Sequence, residues 1–192
     1  QYPRDLEGDL RRLQSVAKVT VFAPTVTDLY PVEHPATASI EANELDDVAI
    51  RWEGERRPGH FLGVATIVHK LFTLTKPRIA FFGRKDYQQL CVIEQLAEQF
   101  SQQHQYNIKI VGCPIVREAD GLAMSSRNAY LTAAQRTQAT AIYEGLQIAC
   151  SMANNTASSA TELQEVVKKQ LGAAEISRID YVAVVHPKSL EP

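Results

Sequence analysis

The stretch that most constrains the fold is Ile79–Leu90, where an apolar run passes through a glycine into a helical pattern. The run Ile79–Phe82 ends at Gly83, and after Lys85 and Asp86 the apolar residues recur at helical spacing. This order predicts a strand, a tight turn and a helix. In an open parallel sheet, ligands bind outside the carboxyl ends of the strands, which is where such a turn lies.

The turn offers a mobile cation, Lys85, beside the free N–H groups expected at a helix N-terminus. A lysine and a helix N-terminus both attract anions, and together they suit a phosphate group. The alternative interpretation is that Lys85 is an ordinary solvated side chain. From this stretch alone both interpretations stand, and the solvated side chain ranks first.

Helical and strand-like patterns alternate along roughly the first 110 residues, which favours an α/β fold with a parallel sheet and flanking helices. We predict one helix on the Leu6, Leu10 and Leu13 stripe and a second from Val64 to about Thr75. A third helix is predicted to begin after Asp86, which with Gln89 would form a capping box. The predicted strands are Val19–Ala23, Thr37–Ile40, Val48–Arg51, Ile79–Phe82 and Ile108–Val111.

The sequence pattern changes after Pro114, where an Asp-Gly turn signal is followed by Ser125, Ser126 and Arg127. Two hydroxyls and a guanidinium can together saturate phosphate oxygens, although such a tripeptide is commonly an ordinary loop. We expect a Rossmann-like domain at 1–113 and a smaller α+β domain at 114–192. The second domain is predicted to contain a helix capped by Thr132 and Gln135 and reaching about Cys150, a helix ended by Gly172, and a strand at Ile179–Val185.

A polar segment with clustered charge, residues 52–61, precedes the second predicted helix. It is either a solvated loop or a ligand-facing lid with Arg57 and His60 turned inward, and the sequence does not decide between the two.

Composition and missing motifs exclude several classes of protein. The net charge of -2 over 192 residues gives no electrostatic footprint for nucleic acid, and no apolar run has transmembrane length. The sequence contains no P-loop, no G-x-G-x-x-G fingerprint, no H-E-x-x-H and no nucleophile elbow, and no cluster has metal-ligand spacing. Any nucleotide phosphates must therefore be held by scattered cations, hydroxyls and helix termini.

Three motifs together resemble the pantoate–β-alanine ligase family: RPGHF at 57–61, FGRKDYQQL at 82–90 and DGLAMSSRN at 120–128. The resemblance covers nearly the whole chain in the family's order. It implies an ATP-dependent acid–amine ligase that forms pantoyl adenylate and then pantothenate, with a Rossmann-like nucleotidyltransferase domain and a smaller domain that closes over ATP. It also implies Mg²⁺ on the phosphates, a cytoplasmic location and a homodimer, with no nucleic-acid or membrane partner.

The resemblance assigns roles to individual residues. Lys85 and Arg127 would be the catalytic cations, and Gln89 would bind pantoate. The ATP-binding residues would be Gly83, Arg84, Lys85, Asp86, Val116, Met124, Ser125, Ser126 and Arg127. Among these, Asp86 would face the ribose, the Val116 backbone would contact the adenine, and Arg84 stands where the family usually has Glu.

The family's paired-histidine motif is missing from this sequence, and His34, His60 and His69 do not fit its pattern. We therefore expect an internal fragment of the enzyme that is inactive alone. The competing hypothesis is a catalytically incomplete nucleotide-binding or interaction module of the same fold, and a third is a related nucleotidyltransferase with another acceptor.

Overall fold

The computed structural model describes residues 5–30, 45, 47–155 and 157–192, and the chain divides into two compact units, Gln1–Thr37 and Ala38–Pro192. The first unit contains helix α1 (Leu6–Val16), capped by Asp5, and the single turn α2 (Val26–Leu29). The stripe on Leu6, Leu10 and Leu13 is thus confirmed as helical. The predicted strand at Thr37–Ile40 lies outside the described residues.

The second unit contains the remaining elements. They are α3 (Glu53–Arg56), α4 (His60–Thr75), β1 (Ile79–Gly83), α5 (Tyr87–His104), β2 (Lys109–Cys113), α6 (Ala133–Gln138), α7 (Ala141–Asn155), α8 (Ala160–Ala173), and 3₁₀ helices at Asp47–Ala49, Arg84–Asp86 and Ser126–Tyr130.

Strands β1 and β2 pair in parallel, with Ile79 opposite Lys109 and Gly83 opposite Cys113. This confirms the predicted α/β unit, in which α5 connects two neighbouring parallel strands. The register places the carboxyl ends of both strands side by side, so the turn after Gly83 lies at the ligand-binding edge of the sheet.

Helices α4 and α5 form the main core behind this edge. Their buried faces contribute Phe61, Ala65, Val68 and Phe72 from α4, and Val92, Ile93, Leu96 and Phe100 from α5. Ile93 is completely buried and Val92 is 1% exposed, so α5 is anchored along its length. A smaller second cluster joins α7 to α8 around Ala141, Val167 and Leu171.

The apolar segments Val19–Ala23 and Ile179–Val185 were predicted to be strands, and both predictions are wrong. Neither has helix or strand structure, and Val19 and Phe22 are 47% and 56% exposed. A strand needs a neighbouring strand for its N–H and C=O groups. Among the described residues, β1 and β2 are the strands that pair, and neither segment joins them.

The prediction of a strand at Val48–Arg51 is also wrong. The backbone N–H groups of Ile50 and Arg51 both donate to Asp47 O, at 3.1 and 3.3 Å, and the Asp47 carboxylate accepts from Arg51 at 3.0 Å. These local bonds close a 3₁₀ turn in place of an extended chain. The polar segment that follows is partly helical, since it contains α3 and the start of α4, joined by a turn at residues 57–59.

The helix predicted from Thr132 to Cys150 is divided in two. Its capping box is confirmed, because Gln135 N–H donates to Thr132 and the Gln135 side chain accepts from Thr132 N–H. However, Thr140 N–H donates to Thr137 O and Ile142 N–H to Ala139 O, each at 3.3 Å and three residues back rather than four, so the α-helical pattern is interrupted. Helix α6 therefore ends at Gln138 and α7 begins at Ala141.

Candidate functional site

A pocket of about 180 Å³ opens at the end of β1, beside the first turn of α5. Its walls come from α3, the start of α4, the Arg84–Asp86 turn, α5 and one residue from late in the chain. The lining residues are Glu53, Arg57, His60, Phe61, Lys85, Asp86, Tyr87, Gln88, Gln89 and Tyr181.

The pocket contains three of the predicted site residues, Lys85, Asp86 and Gln89. Lys85 Nζ lies 3.4 Å from Asp86 Oδ1, and the two side chains are 39% and 62% exposed. An exposed pair of this kind contributes little to stability, so Lys85 is available to a stronger anion. The predicted capping box at Asp86 is wrong, because Asp86 makes no side-chain capping bond to α5. The 3₁₀ turn at Arg84–Asp86 precedes the helix instead and leaves the N–H groups of its first turn without a side-chain cap.

Arg57 and His60 also lie in this pocket, which supports the ligand-facing interpretation of residues 52–61. Arg57 Nη1 donates to Glu53 Oε1 at 2.9 Å, one turn away along α3. Partial burial lowers the pKa of His60, and the Arg57 and Arg127 charges lower it further, whereas Glu53 and Asp86 act in the opposite direction. The lowered pKa favours the neutral ring, in which one nitrogen donates a hydrogen bond and the other accepts one.

Arg127 does not line the pocket, but its charge is close enough to affect the pKa of His60. It follows a short hairpin in which Met124 N–H donates to Val116 O at 2.9 Å and Arg117 bridges to Ala123. Ser125 Oγ accepts from Arg127 N–H at 3.2 Å and begins the 3₁₀ helix. The hairpin thus brings Val116, Met124 and Arg127 into one local structure.

The remaining predicted residues lie outside the pocket lining. They are Gly83, Arg84, Val116, Met124, Ser125 and Ser126. The Arg84 side chain lies across Gly112 of β2, where a Cβ atom would come within 3.1 Å of Arg84 Nε. Val116 and Met124 are 64% and 47% exposed, so these two apolar side chains are accessible to a flat apolar ligand.

Tyr181 is a lining residue that the sequence did not indicate, because it lies in a segment predicted to be a strand. Its ring contacts the indole of Trp52, with centroids 5.8 Å apart, and burial raises its pKa above the ordinary value, with Glu53 and Asp180 adding to the effect. The same segment is held by Arg56, which donates to Asp180 O at 3.1 Å. Residues so far apart in sequence form no local pattern from which their contact could be predicted.

The C-terminal residues are fixed to the pocket wall by further bonds. Trp52 Nε1 donates to Leu190 O at 2.8 Å, and Tyr87 Oη donates to Pro187 O at 3.0 Å. Residues 187–190 therefore contact both the first turn of α5, through Tyr87, and the residue before α3, Trp52.

Among the described residues, no group of three or more His, Cys, Asp or Glu side chains is arranged to hold a metal ion. Within the same residues, no helix is both long and apolar enough to span a membrane.

Known proteins are similar to this chain along its full length. The family model described as Pantoate-beta-alanine ligase matches residues 1–192. The pantothenate synthetase of Rubrobacter xylanophilus is 42% identical over 196 residues, covering 100% of this chain and 65% of the relative. That of Thermus thermophilus is 41% identical over 192 residues, covering 100% of this chain and 66% of the relative. The chain thus spans slightly less than two thirds of these proteins.

Solved structures agree with these relatives. The crystal structure of pantothenate synthetase from Thermus thermophilus has a TM-score of 0.87 and 40% identity, covering 100% of this chain and 66% of that chain. Pantoate-beta-alanine ligase from Francisella tularensis, complexed with beta-gamma ATP and beta-alanine, has a TM-score of 0.67 and 35% identity, covering 88% of this chain and 59% of that chain. These neighbours confirm the α/β fold class.

Proposed function

The chain belongs to the pantoate-beta-alanine ligase family, and from that premise we propose that the protein condenses pantoate with β-alanine at the expense of ATP. The observation that carries the proposal is the grouping of Lys85, Arg57 and Gln89 in one pocket at the end of β1, with Arg127 nearby. Cations beside a helix N-terminus suit phosphate, and an adjacent amide suits the hydroxyl and carboxylate oxygens of a small acid.

The reaction proceeds in two displacements. A pantoate carboxylate oxygen attacks the α-phosphorus of ATP, the bond from that phosphorus to the bridging oxygen breaks, and pyrophosphate leaves. The amine of β-alanine then attacks the acyl carbon of pantoyl adenylate, loses a proton, and AMP leaves with the electrons of the acyl–oxygen bond. Both steps build negative charge on phosphate oxygens, and fixed cations directed at that charge lower the barrier.

Lys85 and Arg127 are the groups proposed to meet that charge. Lys85 projects from the turn at the ligand-binding edge, and Arg127 approaches His60 from the hairpin that follows β2. Gln89 lies one turn of α5 beyond Lys85 in the same lining, which suits it to bind pantoate next to the α-phosphate. Gly83, Arg84 and Asp86 would form the rest of the ATP-binding turn, with Asp86 toward the ribose.

The nucleotide is proposed to extend from this turn toward the hairpin. The Val116 backbone would contact the adenine, and Met124, Ser125 and Ser126 would border the nucleotide with Arg127. Residues 114–192 would then form the smaller domain that closes over ATP, and residues 1–113 the Rossmann-like domain. The α7–α8 core supports a distinct later domain, while Leu190 packs in the main core and both cores lie in the compact unit Ala38–Pro192.

Mg²⁺ is proposed to reach the site on the ATP phosphates. Nucleotide-bound Mg²⁺ is usually held by phosphate oxygens and one or two carboxylates rather than by a protein cage. The metal would neutralise phosphate charge together with Lys85. A cytoplasmic location and a homodimer are further proposals that rest on the family alone.

Isotope exchange between pyrophosphate and ATP tests the function in the protein as its gene encodes it. Exchange that requires pantoate and does not require β-alanine is expected, because the adenylate forms before the amine enters. ATP binding by calorimetry without any pantoate-dependent exchange would contradict the ligase proposal and support a nucleotide-binding module. Exchange stimulated by a different acid would support another acceptor on the same fold.

A further inference from the structure

The side chain of Gln88 makes three hydrogen bonds to the backbone of a single segment, residues 48–53. Its Nε2 donates to Val48 O and Arg51 O, each at 2.7 Å, and its Oε1 accepts from Glu53 N–H at 3.1 Å. Gln88 is the second residue of α5. These bonds therefore join the helix that borders the pocket to the chain that leads into α3.

The Glu53 N–H needs a partner from outside its own segment, whereas Arg51 O also accepts locally from Gly54 N–H at 2.8 Å. Glu53 is the first residue of α3, so its N–H has no acceptor within the helix, and the preceding Trp52 makes no side-chain capping bond. The Val48 and Arg51 carbonyls lie where the 3₁₀ turn gives way to α3. A primary amide carries two donors and an acceptor in one plane, so the one side chain can bond to both carbonyls and to the Glu53 N–H.

The segment also adopts a backbone conformation that must be held in place. Trp52 has φ of 46°, a region that is unfavourable for a residue with a side chain. At Gly54 the chain passes so close to Ala49 that a Cβ atom would lie 2.0 Å from Ala49 O. Gln88 bonds on both sides of Trp52, and thereby secures the turn that directs the chain into α3.

Glu53 connects Gln88 to the lining of the pocket. Its backbone is held by Gln88, and its carboxylate accepts a hydrogen bond from Arg57 at 2.9 Å, beside His60 in the lining. We propose that Gln88 is a positioning residue, which fixes the N-terminus of α3 and through Glu53 sets the place of Arg57 next to His60. This inference concerns the geometry of the pocket, so it stands or falls independently of the ligase reaction.

The test replaces Gln88 with methionine, which has similar length and good helix propensity but makes none of the three bonds. Gln103→Met is the matched control, since Gln103 is an exposed residue of the same helix. His60 is titrated by NMR in each protein, and amide hydrogen exchange is followed at Glu53. Gln88→Ala provides a second variant with a smaller side chain.

In Gln88→Met the His60 pKa is expected to rise toward the ordinary histidine value, because the lowering effects of burial and of Arg57 relax. Hydrogen exchange at the Glu53 amide is expected to become about fivefold to tenfold faster. This is the change in the opening equilibrium that corresponds to the net free energy of one hydrogen bond. Gln103→Met should leave both unchanged. A folded Gln88→Met protein with an unchanged His60 titration would overturn the proposal. Failure of both Gln88 variants to fold would also overturn it, by showing general support of the structure rather than positioning.

Discussion

Tyr181 packs its ring against the indole of Trp52, with centroids 5.8 Å apart at an interplanar angle of 42°. The contact carries a residue from the end of the chain into a pocket whose other walls come from residues 53–89. Trp52 is also the only tryptophan in the sequence. Its fluorescence therefore reports on this wall of the pocket without interference from another indole.

Replacement of Tyr181 with alanine is expected to shift Trp52 emission to longer wavelength. The indole loses an aromatic neighbour and gains water, while its bond to Leu190 O remains. Val184→Ala, in the same segment, is the control and should leave the emission maximum in place. An unchanged spectrum in Tyr181→Ala would mean that the ring does not shield Trp52 in solution.

Glu53→Gln is expected to lower the pKa of His60 further below its ordinary value. Glu53 opposes the effect of burial and of the Arg57 and Arg127 charges, so its neutralisation leaves those lowering effects unbalanced. An NMR titration of the ring measures the change. Glu55→Gln, an exposed acid on the same helix, gives the comparison. A rise in the His60 pKa of the Glu53 variant would contradict the arrangement of charges described above.

The pocket should bind a polyanion more tightly in acid, over a range set by His60. Because the pKa of His60 is lowered, the ring gains its charge at lower pH than an ordinary histidine does. Calorimetry with pyrophosphate from pH 8 to about pH 5 measures this, and His60→Gln removes the contribution of the ring. Pyrophosphate also gains protons over this pH range, and it does so equally for both proteins. The difference between their affinities therefore gives the contribution of His60. Parallel pH profiles would show that the ring does not face the anion.

Two glycine substitutions should have opposite effects on stability. Gly121 has φ of 91°, and a Cβ atom there would lie 2.5 Å from the Tyr143 ring, so Gly121→Ala is expected to cost more than about 1 kcal/mol. It should also displace Arg117, which donates to Gly121 O at 3.1 Å and lies over the Tyr143 ring.

Gly172→Ala provides the contrast, since Gly172 is exposed in α8 and a Cβ atom added there would meet nothing within 4 Å. It is expected to stabilise the protein by about 0.4–1 kcal/mol. Urea unfolding measures both free energies. Equal effects of the two substitutions would mean that the backbone at Gly121 is not constrained as described.

Local patterns predicted the elements whose interactions are local. The apolar stripe of α4, the β1–α5 junction and the Thr132 capping box depend on residues within a few positions of one another, and all three are confirmed. Val19–Ala23 and Ile179–Val185 have strand-like composition but no strand partner among the described residues, and composition alone cannot supply one.

The same distinction applies to the candidate site. Lys85, Asp86 and Gln89 follow a recognisable strand-to-helix turn, so their place at the edge of the sheet could be predicted. The bonds from Gln88 to residues 48–53 and the approach of Tyr181 to Trp52 join parts of the chain far apart in sequence. Only the tertiary structure brings those groups together.

The most direct test of the account is pantoate-dependent exchange between pyrophosphate and ATP in Lys85→Ala. Lys109→Ala is the matched control, because Lys109 is an exposed lysine at the amino end of β2, opposite Ile79. Loss of a cation from the developing phosphate charge should slow exchange by at least about a hundredfold in Lys85→Ala. The Lys109 variant should retain the full rate. Undiminished exchange in Lys85→Ala would contradict the assignment of this turn as the phosphate site.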